Sequence, residues 1–161
     1  MLKSGRRSGW FVDAKQTACR PDGMILVAEA VLSVLPEDVD AIGGLTMGAD
    51  PVAFATAAVA NLRGWSLKSF SVRKEVKDHG GGGRIAGALD AGDRVVLTED
   101  AVTRGTSLIE AAKAVRAVGA EPVMMVAVVD RGGTCAAMAE AEGIAFRALV
   151  TAPDLGFDYE S

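Results

Sequence analysis

Long apolar runs are missing from this chain. The longest, "VMMVAVV" at 123–129, is far short of the about 20 apolar residues a bilayer-spanning helix needs, so no membrane partner is expected. The N-terminus has no charged, then apolar, then small-residue leader, so no secretion signal is expected and the chain reads as cytoplasmic. Cysteine is scarce. Cys19 and Cys135 have no metal-like spacing, which predicts ordinary thiols rather than a disulfide, a catalytic pair or a protein-bound metal. Positive charge is not in excess: 17 Lys and Arg stand against 21 Asp and Glu, a net charge of −4. That balance argues against nonspecific nucleic-acid binding and leaves room for a local cationic site. No internal repeat and no second domain are visible in the 161 residues, so one domain over 1–161 is expected.

What the chain does have is a hydrophobic half, 50% of its residues, with 24% charged, the balance of a globular protein with a real core. Apolar segments alternate with helical patterns. "WFVDA" (10–14) reads as a strand. Residues 21–35 read as a helix with Pro21 in its first turn and a stripe of Met24, Ile25, Val27, Ala28, Val31, Leu32 and Leu35. "DAIGGL" (40–45) looks like a buried strand and 50–64 a helix closed by Gly64. "SLKSFSVR" (66–73) alternates as a strand does. "RVVLTE" (94–99) is a compact buried strand, 106–118 an amphipathic helix, "EPVMMVAVVD" (121–130) a strand, 133–142 a helix and "AFRALV" (145–150) a last strand. Strands separated by helices predict an α/β protein with a mostly parallel central sheet covered on both faces.

One segment breaks this rhythm. "RKEVKDHGGGGR" (73–84) combines four cations and a histidine with a run of four glycines. Glycine runs lose much entropy on ordering, which predicts a mobile loop over about 74–86. Lys74, Lys77 and His79 could be no more than solvated charges, but a dense cationic cluster on a loop is also where function gathers.

A second stretch, "LTEDAVTRGTS" (97–107), sets Glu99 and Asp100 at the end of a strand and a Thr/Gly/Ser loop before a helix. Ligands in open parallel sheets settle beyond the C-terminal strand ends. Backbone N–H groups over 103–107, the hydroxyls of Thr103, Thr106 and Ser107, and the start of the following helix form a phosphate cradle, with Gly105 permitting close approach. The acids would repel a phosphate but suit hydroxyls or a cationic centre further along the same ligand. A phosphorylated sugar offers both.

The full string resembles the 5-phosphoribosyl-1-pyrophosphate (PRPP) motif of type I phosphoribosyltransferases. "RKEVKDHG" (73–80), "LKSGRRSGWFVD" (2–13), "VVDR" (128–131), "IGGLTMGADP" (42–51) and "DLGF" (154–157) run in family order. Together they are similar to orotate phosphoribosyltransferases, in particular the shorter actinobacterial-type members. The resemblance implies the type I phosphoribosyltransferase fold and the reaction of orotate with PRPP to give orotidine 5′-monophosphate and pyrophosphate, with Mg²⁺ held mainly through PRPP and pyrophosphate oxygens.

Carried over by position, the resemblance assigns Glu99 and Asp100 to the ribose hydroxyls. The stretch from Ala101 and Val102 through Thr103, Arg104, Gly105, Thr106 and Ser107 goes to the 5′-phosphate end. Arg131, Thr103, Phe11 and Val12 go to orotate. Arg73, Lys74, Lys77, His79 and Lys3 go to the pyrophosphate. Lys77, with Asp100, Lys74 and His79, carries the catalytic assignment. A homodimer is implied, with the mobile loop closing over the neighbouring subunit's site. In duller readings Arg131 pairs with Asp130 or caps a helix, and Trp10 and Phe11 belong to the core. Two departures stand out: the chain starts almost on "LKSGR", where family members carry a further helix, and Met47 replaces a common lysine. Alternatives are a non-catalytic PRPP-binding regulatory module, or transfer to another base.

Overall fold

The structure is a computed structural model that describes residues 10–76 and 83–160. Six strands form one sheet in the order β3-β2-β1-β4-β5-β6. They are β1 (Ala41–Leu45), β2 (Lys68–Val72), β3 (Ile85–Gly87), β4 (Arg94–Val102), β5 (Glu121–Asp130) and β6 (Ala145–Thr151). All neighbours pair in parallel except β2 and β3, which are antiparallel.

Five helices accompany the sheet: α1 (Lys15–Ala18), α2 (Pro21–Leu32), α3 (Ala49–Leu62), α4 (Thr106–Ala117) and α5 (Cys135–Ala141). Chain order runs from β1 outward to β2 on one side, and from β4 outward through β5 to β6 on the other. With crossovers of one hand, opposite directions of travel put the connecting helices on opposite faces. The core divides accordingly. Val31 and Leu32 of α2 and Val52 and Ala60 of α3 pack with Ile42, Val96 and Val126. Leu108 and Val115 of α4 and Ala139 of α5 pack with Phe70, Leu97 and Met125 on the other face. Because both faces are covered, β1 is buried at every position, which is why it reads as an unbroken apolar run.

The direction of travel reverses between β1 and β4, which places a crevice at their C-terminal ends. Strands β1, β2, β4, β5 and β6 and helices α2 to α5 fall where the periodicity predicts. Four expectations need correction. Residues 10–14 form no strand; Trp10 to Asp13 are irregular and lead directly into α1. The β4 ladder does not stop at Glu99 but continues to Val102, paired with Asp130, so the acids lie inside the strand's last turns of pleat. The loop expected over 74–86 ends sooner, since Ile85 and Ala86 already pair with Val72 and Ser71. Ile25, expected on the buried stripe of α2, points outward.

Leu97 is fully buried two residues before the acids. Leu97→Ala should lower unfolding free energy by about 2–5 kcal/mol, read from urea denaturation; a loss below about 1 kcal/mol would contradict this packing.

Candidate functional site

Glu99 and Asp100 are almost wholly buried, with 7% and 4% of their surfaces exposed. Two adjacent carboxylates removed from water need compensation, and three elements supply it. From the β1–α3 loop, the Gly48 backbone presses on both: an added Cβ would collide with the Glu99 carboxylate and lie 2.5 Å from Asp100 Oδ1. From α1, Lys15 Nζ donates to Asp100 Oδ2 at 2.6 Å. From α4, the Ser107 hydroxyl bonds to the Glu99 carboxyl. Burial, then the hydrogen bond and charge of Asp100, push the Glu99 carboxyl up to about 8. Glu99 is therefore held protonated below that pH instead of adding a second buried charge. For Lys15, burial pulls the pKa down, but the bond and charge of Asp100, with Glu99 and Asp13, outweigh it and raise the pKa overall.

The predicted phosphate cradle lies at the end of β4. Gly105 adopts a left-handed conformation (φ 75°) as the residue before α4, and no side chain caps that helix. The first-turn N–H groups of α4 are thus left to whatever occupies the crevice. An added Cβ at Gly105 would lie 2.5 Å from Cys135 Sγ, so glycine is required both by φ and by the close approach of α5. Thr134 Oγ1 donates to the Thr103 carbonyl at 3.1 Å. Arg104 and Thr106 are exposed, Thr103 and Ser107 half-buried. Ala101 is half-buried and Val102 buried, so their side chains shape the approach rather than face a ligand openly.

Arg131 stands at the end of β5. Its N–H donates to the Val102 carbonyl at 2.8 Å, which ties it to the cradle. Its guanidinium donates to Glu160 Oε2 at 2.6 Å and to the Trp10 carbonyl at 3.2 Å. It also lies 5.0 Å from the Trp10 ring centroid and 5.8 Å from that of Phe11. Trp10 in turn stacks on Phe157, centroids 4.5 Å apart. The duller assignment of Arg131 to Asp130 does not hold: Asp130 Oδ1 accepts instead from the N–H groups of Gly132 and Gly133, each at 3.0 Å. Phe11 does not belong to the core, since 78% of it is exposed; it flanks Arg131 with half-buried Val12 beside it. The structure thus brings Arg131, Phe11, Val12 and Thr103 to neighbouring strand ends.

The remaining candidates are more scattered. Arg73 is half-buried and its backbone is zipped to Arg84, N–H to carbonyl at 2.7 Å, with Arg84 Nε returning to the Arg73 carbonyl at 2.7 Å. Lys74 is exposed, and Met47 is 63% exposed in the loop after β1. Lys3, Lys77 and His79 lie outside the described residues. Burial, then the Asp130 charge, push the Cys135 thiol up to about 12, so it is inert as expected. Sequence reasoning missed Lys15 and Glu160. Each meets its partner only through the tertiary fold, Lys15 across 85 residues of chain, and no local pattern marks either.

No model of a protein family matches the chain. Curated and solved relatives do match. The chain is 42% identical over 155 residues to the orotate phosphoribosyltransferase of Aquifex aeolicus, spanning 96% of this chain and 85% of the relative. A crystal structure of a phosphoribosyltransferase from Corynebacterium diphtheriae superposes with a TM-score of 0.84 at 36% identity, covering 94% of this chain and 88% of that one. The Mycobacterium tuberculosis orotate phosphoribosyltransferase in complex with PRPP gives a TM-score of 0.79 at 34% identity, covering 97% and 88%. The buried acid pair and uncapped helix at the sheet's switch point therefore sit in a shared framework, and the chain belongs to the orotate phosphoribosyltransferase family.

Proposed function

We propose that this chain transfers the 5-phosphoribosyl group of PRPP to orotate, giving orotidine 5′-monophosphate and pyrophosphate in UMP synthesis. The observation that carries the reading is the crevice between β1 and β4. A buried acid pair lies beside the uncapped start of α4, and an arginine–aromatic patch stands on the next strand end.

In this reading Glu99 and Asp100 accept the ribose 2′- and 3′-hydroxyls. The amides and hydroxyls over 103–107 hold the 5′-phosphate, where the helix start supplies partial positive charge. Arg131 presents its guanidinium to the polar edge of orotate, an anion at neutral pH, with backbone groups near Phe11 and Val12 and the side of Thr103 bounding the ring. A ring nitrogen of orotate forms the new bond to the anomeric carbon as the C–O bond to pyrophosphate breaks. Positive charge develops on the ribose, where Asp100 is placed to stabilise it. Negative charge develops on the leaving pyrophosphate, which Lys3, Arg73, Lys74, Lys77 and His79 neutralise.

Mg²⁺ fits this site as an ion carried by PRPP and pyrophosphate oxygens, because it favours phosphate and water ligands and Lys15 already sets positive charge on the acid pair. When bound it would supply positive charge that offsets the charge developing on the leaving group. Closure of the loop over about 74–84 would exclude water. A homodimer completes the reading, with that loop serving the neighbouring site. Leu26, Phe54 and Leu62 on α2 and α3 are exposed and offer apolar surface for a second copy. The described residues contain no helix long and apolar enough to cross a membrane.

Absorbance of orotate should fall when PRPP and Mg²⁺ are added to the protein. PRPP binding without turnover of any base would instead assign a regulatory module. Lys77→Ala should lower kcat about 100-fold or more while weakening PRPP binding far less; unchanged turnover removes Lys77 from the catalytic role.

The acid pair adds a pH signature. The folded protein keeps a proton on Glu99 up to about 8, above the ordinary 4.5, whereas the unfolded chain releases it near the ordinary value. Between these values the folded state binds more protons, so this contribution to stability is fully present below the lower value and is lost as pH rises through the upper one. Thermal unfolding of ligand-free protein should show Tm falling from pH 6 to pH 8.5, with the fall reduced in Glu99→Gln. An identical slope in both proteins contradicts it.

A further inference from the structure

The reaction as proposed leaves Lys15 without a task, yet it is the cation the structure sets on the acid pair. Its helix does not need the ion pair to stay in place. The Ala18 side chain of α1 is buried, and the backbone is pinned by Gln16 N–H to the Asp13 carbonyl at 3.0 Å and Ala18 N–H to the Ala14 carbonyl at 2.8 Å. Gly23 in α2 admits α1 at close range: a Cβ there would lie 2.9 Å from Thr17 Cγ2 and collide with the Thr17 carbonyl. The seat of α1 is therefore set by packing, and the Lys15 side chain is available for another purpose.

That side chain reaches from the solvent edge inward. It is 38% exposed, while the Asp100 side chain it meets at 2.6 Å is 6% exposed. A cation on a long flexible stem can hold a carboxylate and later yield it. The groups facing the pair are Asp13 before α1, Lys15 on α1, Ser107 on α4 and the Gly48 backbone. Lys15 alone of these brings positive charge. Without it, two buried carboxyls would share one crevice with no counter-charge, and the pair would retain protons to higher pH.

Resting on the PRPP reading, we infer that Lys15 is a positioning residue that holds the Asp100 carboxyl turned into the crevice until the ribose takes over its contacts. It acts through Asp100 and does not touch the base site. Loss of Lys15 therefore harms the site most where protonation competes, and least where the carboxyls ionise unaided.

The test is the pH profile of kcat/KM for PRPP in wild type, Lys15→Met and Lys15→Arg, with Tm measured for each to confirm folding. In Lys15→Met the acid limb should move up by about one pH unit and kcat/KM at pH 7 should fall about tenfold. The deficit should close towards pH 9, KM for orotate should stay within about twofold, and Lys15→Arg should restore most of the loss. An unmoved acid limb, a deficit equal at all pH values, or failure of arginine to rescue overturns the role. If wild-type protein binds PRPP but turns over no orotate, the proposed function fails while Lys15 is judged by the same pH profile of PRPP affinity in calorimetry. Absence of PRPP binding overturns both.

Discussion

Two neighbouring carboxyls buried at the reversal point of the sheet are the constraint from which the rest of the site follows. Placing Glu99 and Asp100 at 7% and 4% exposure is unfavourable unless one is neutral or both are countered. The fold answers with a proton kept on Glu99, with Lys15 on one side and with a glycine at position 48, where any side chain would occupy the carboxyls' space. What remains is a compact acceptor surface beside unclaimed helix N–H groups. Such a juxtaposition repels an anion from one end and attracts it to the other, so it favours a ligand carrying hydroxyls and phosphate at separate ends.

The Arg131 side of the crevice is built on a different principle. Arg131 is buried but held on several sides at once, by Glu160, by the Trp10 carbonyl and by aromatic faces. A guanidinium fixed in this way loses little entropy when it pairs with a planar, polar ring edge. The chain segments that fix it come from residues 10–11 and 157–160, at the two extremes of the described chain. Both ends of the described chain thus converge on one strand end, where the β5 and β4 termini are tied by the Arg131 N–H to the Val102 carbonyl.

Much of this was legible in the sequence because the determinants are local. The buried runs of β1, β4 and β5, the helix starts at Pro21 and after Gly105, and the acid pair followed by a Thr/Gly/Ser loop all lie within short windows. The failures are the non-local features. "WFVDA" has the apolar density of a strand, yet Trp10 and Phe11 serve to flank Arg131, and Trp10 stacks on Phe157; no ladder partner is implied by composition alone. The three residues of β3 pair only because β2 lies beside them. Lys15 looks like any surface lysine until the fold carries Asp100 to it. Extension of β4 through Val102 likewise depends on β5 running equally far.

The central claim is that the crevice between β1 and β4 receives a phosphoribosyl group. A crystal structure of the protein with PRPP and Mg²⁺ measures this directly. The ribose hydroxyls are expected on the Glu99 and Asp100 carboxyls, with the 5′-phosphate on the amides over 103–107 and Lys15 displaced from Asp100 Oδ2. A crevice that stays closed by its own side chains, or PRPP bound elsewhere on the molecule, would contradict it.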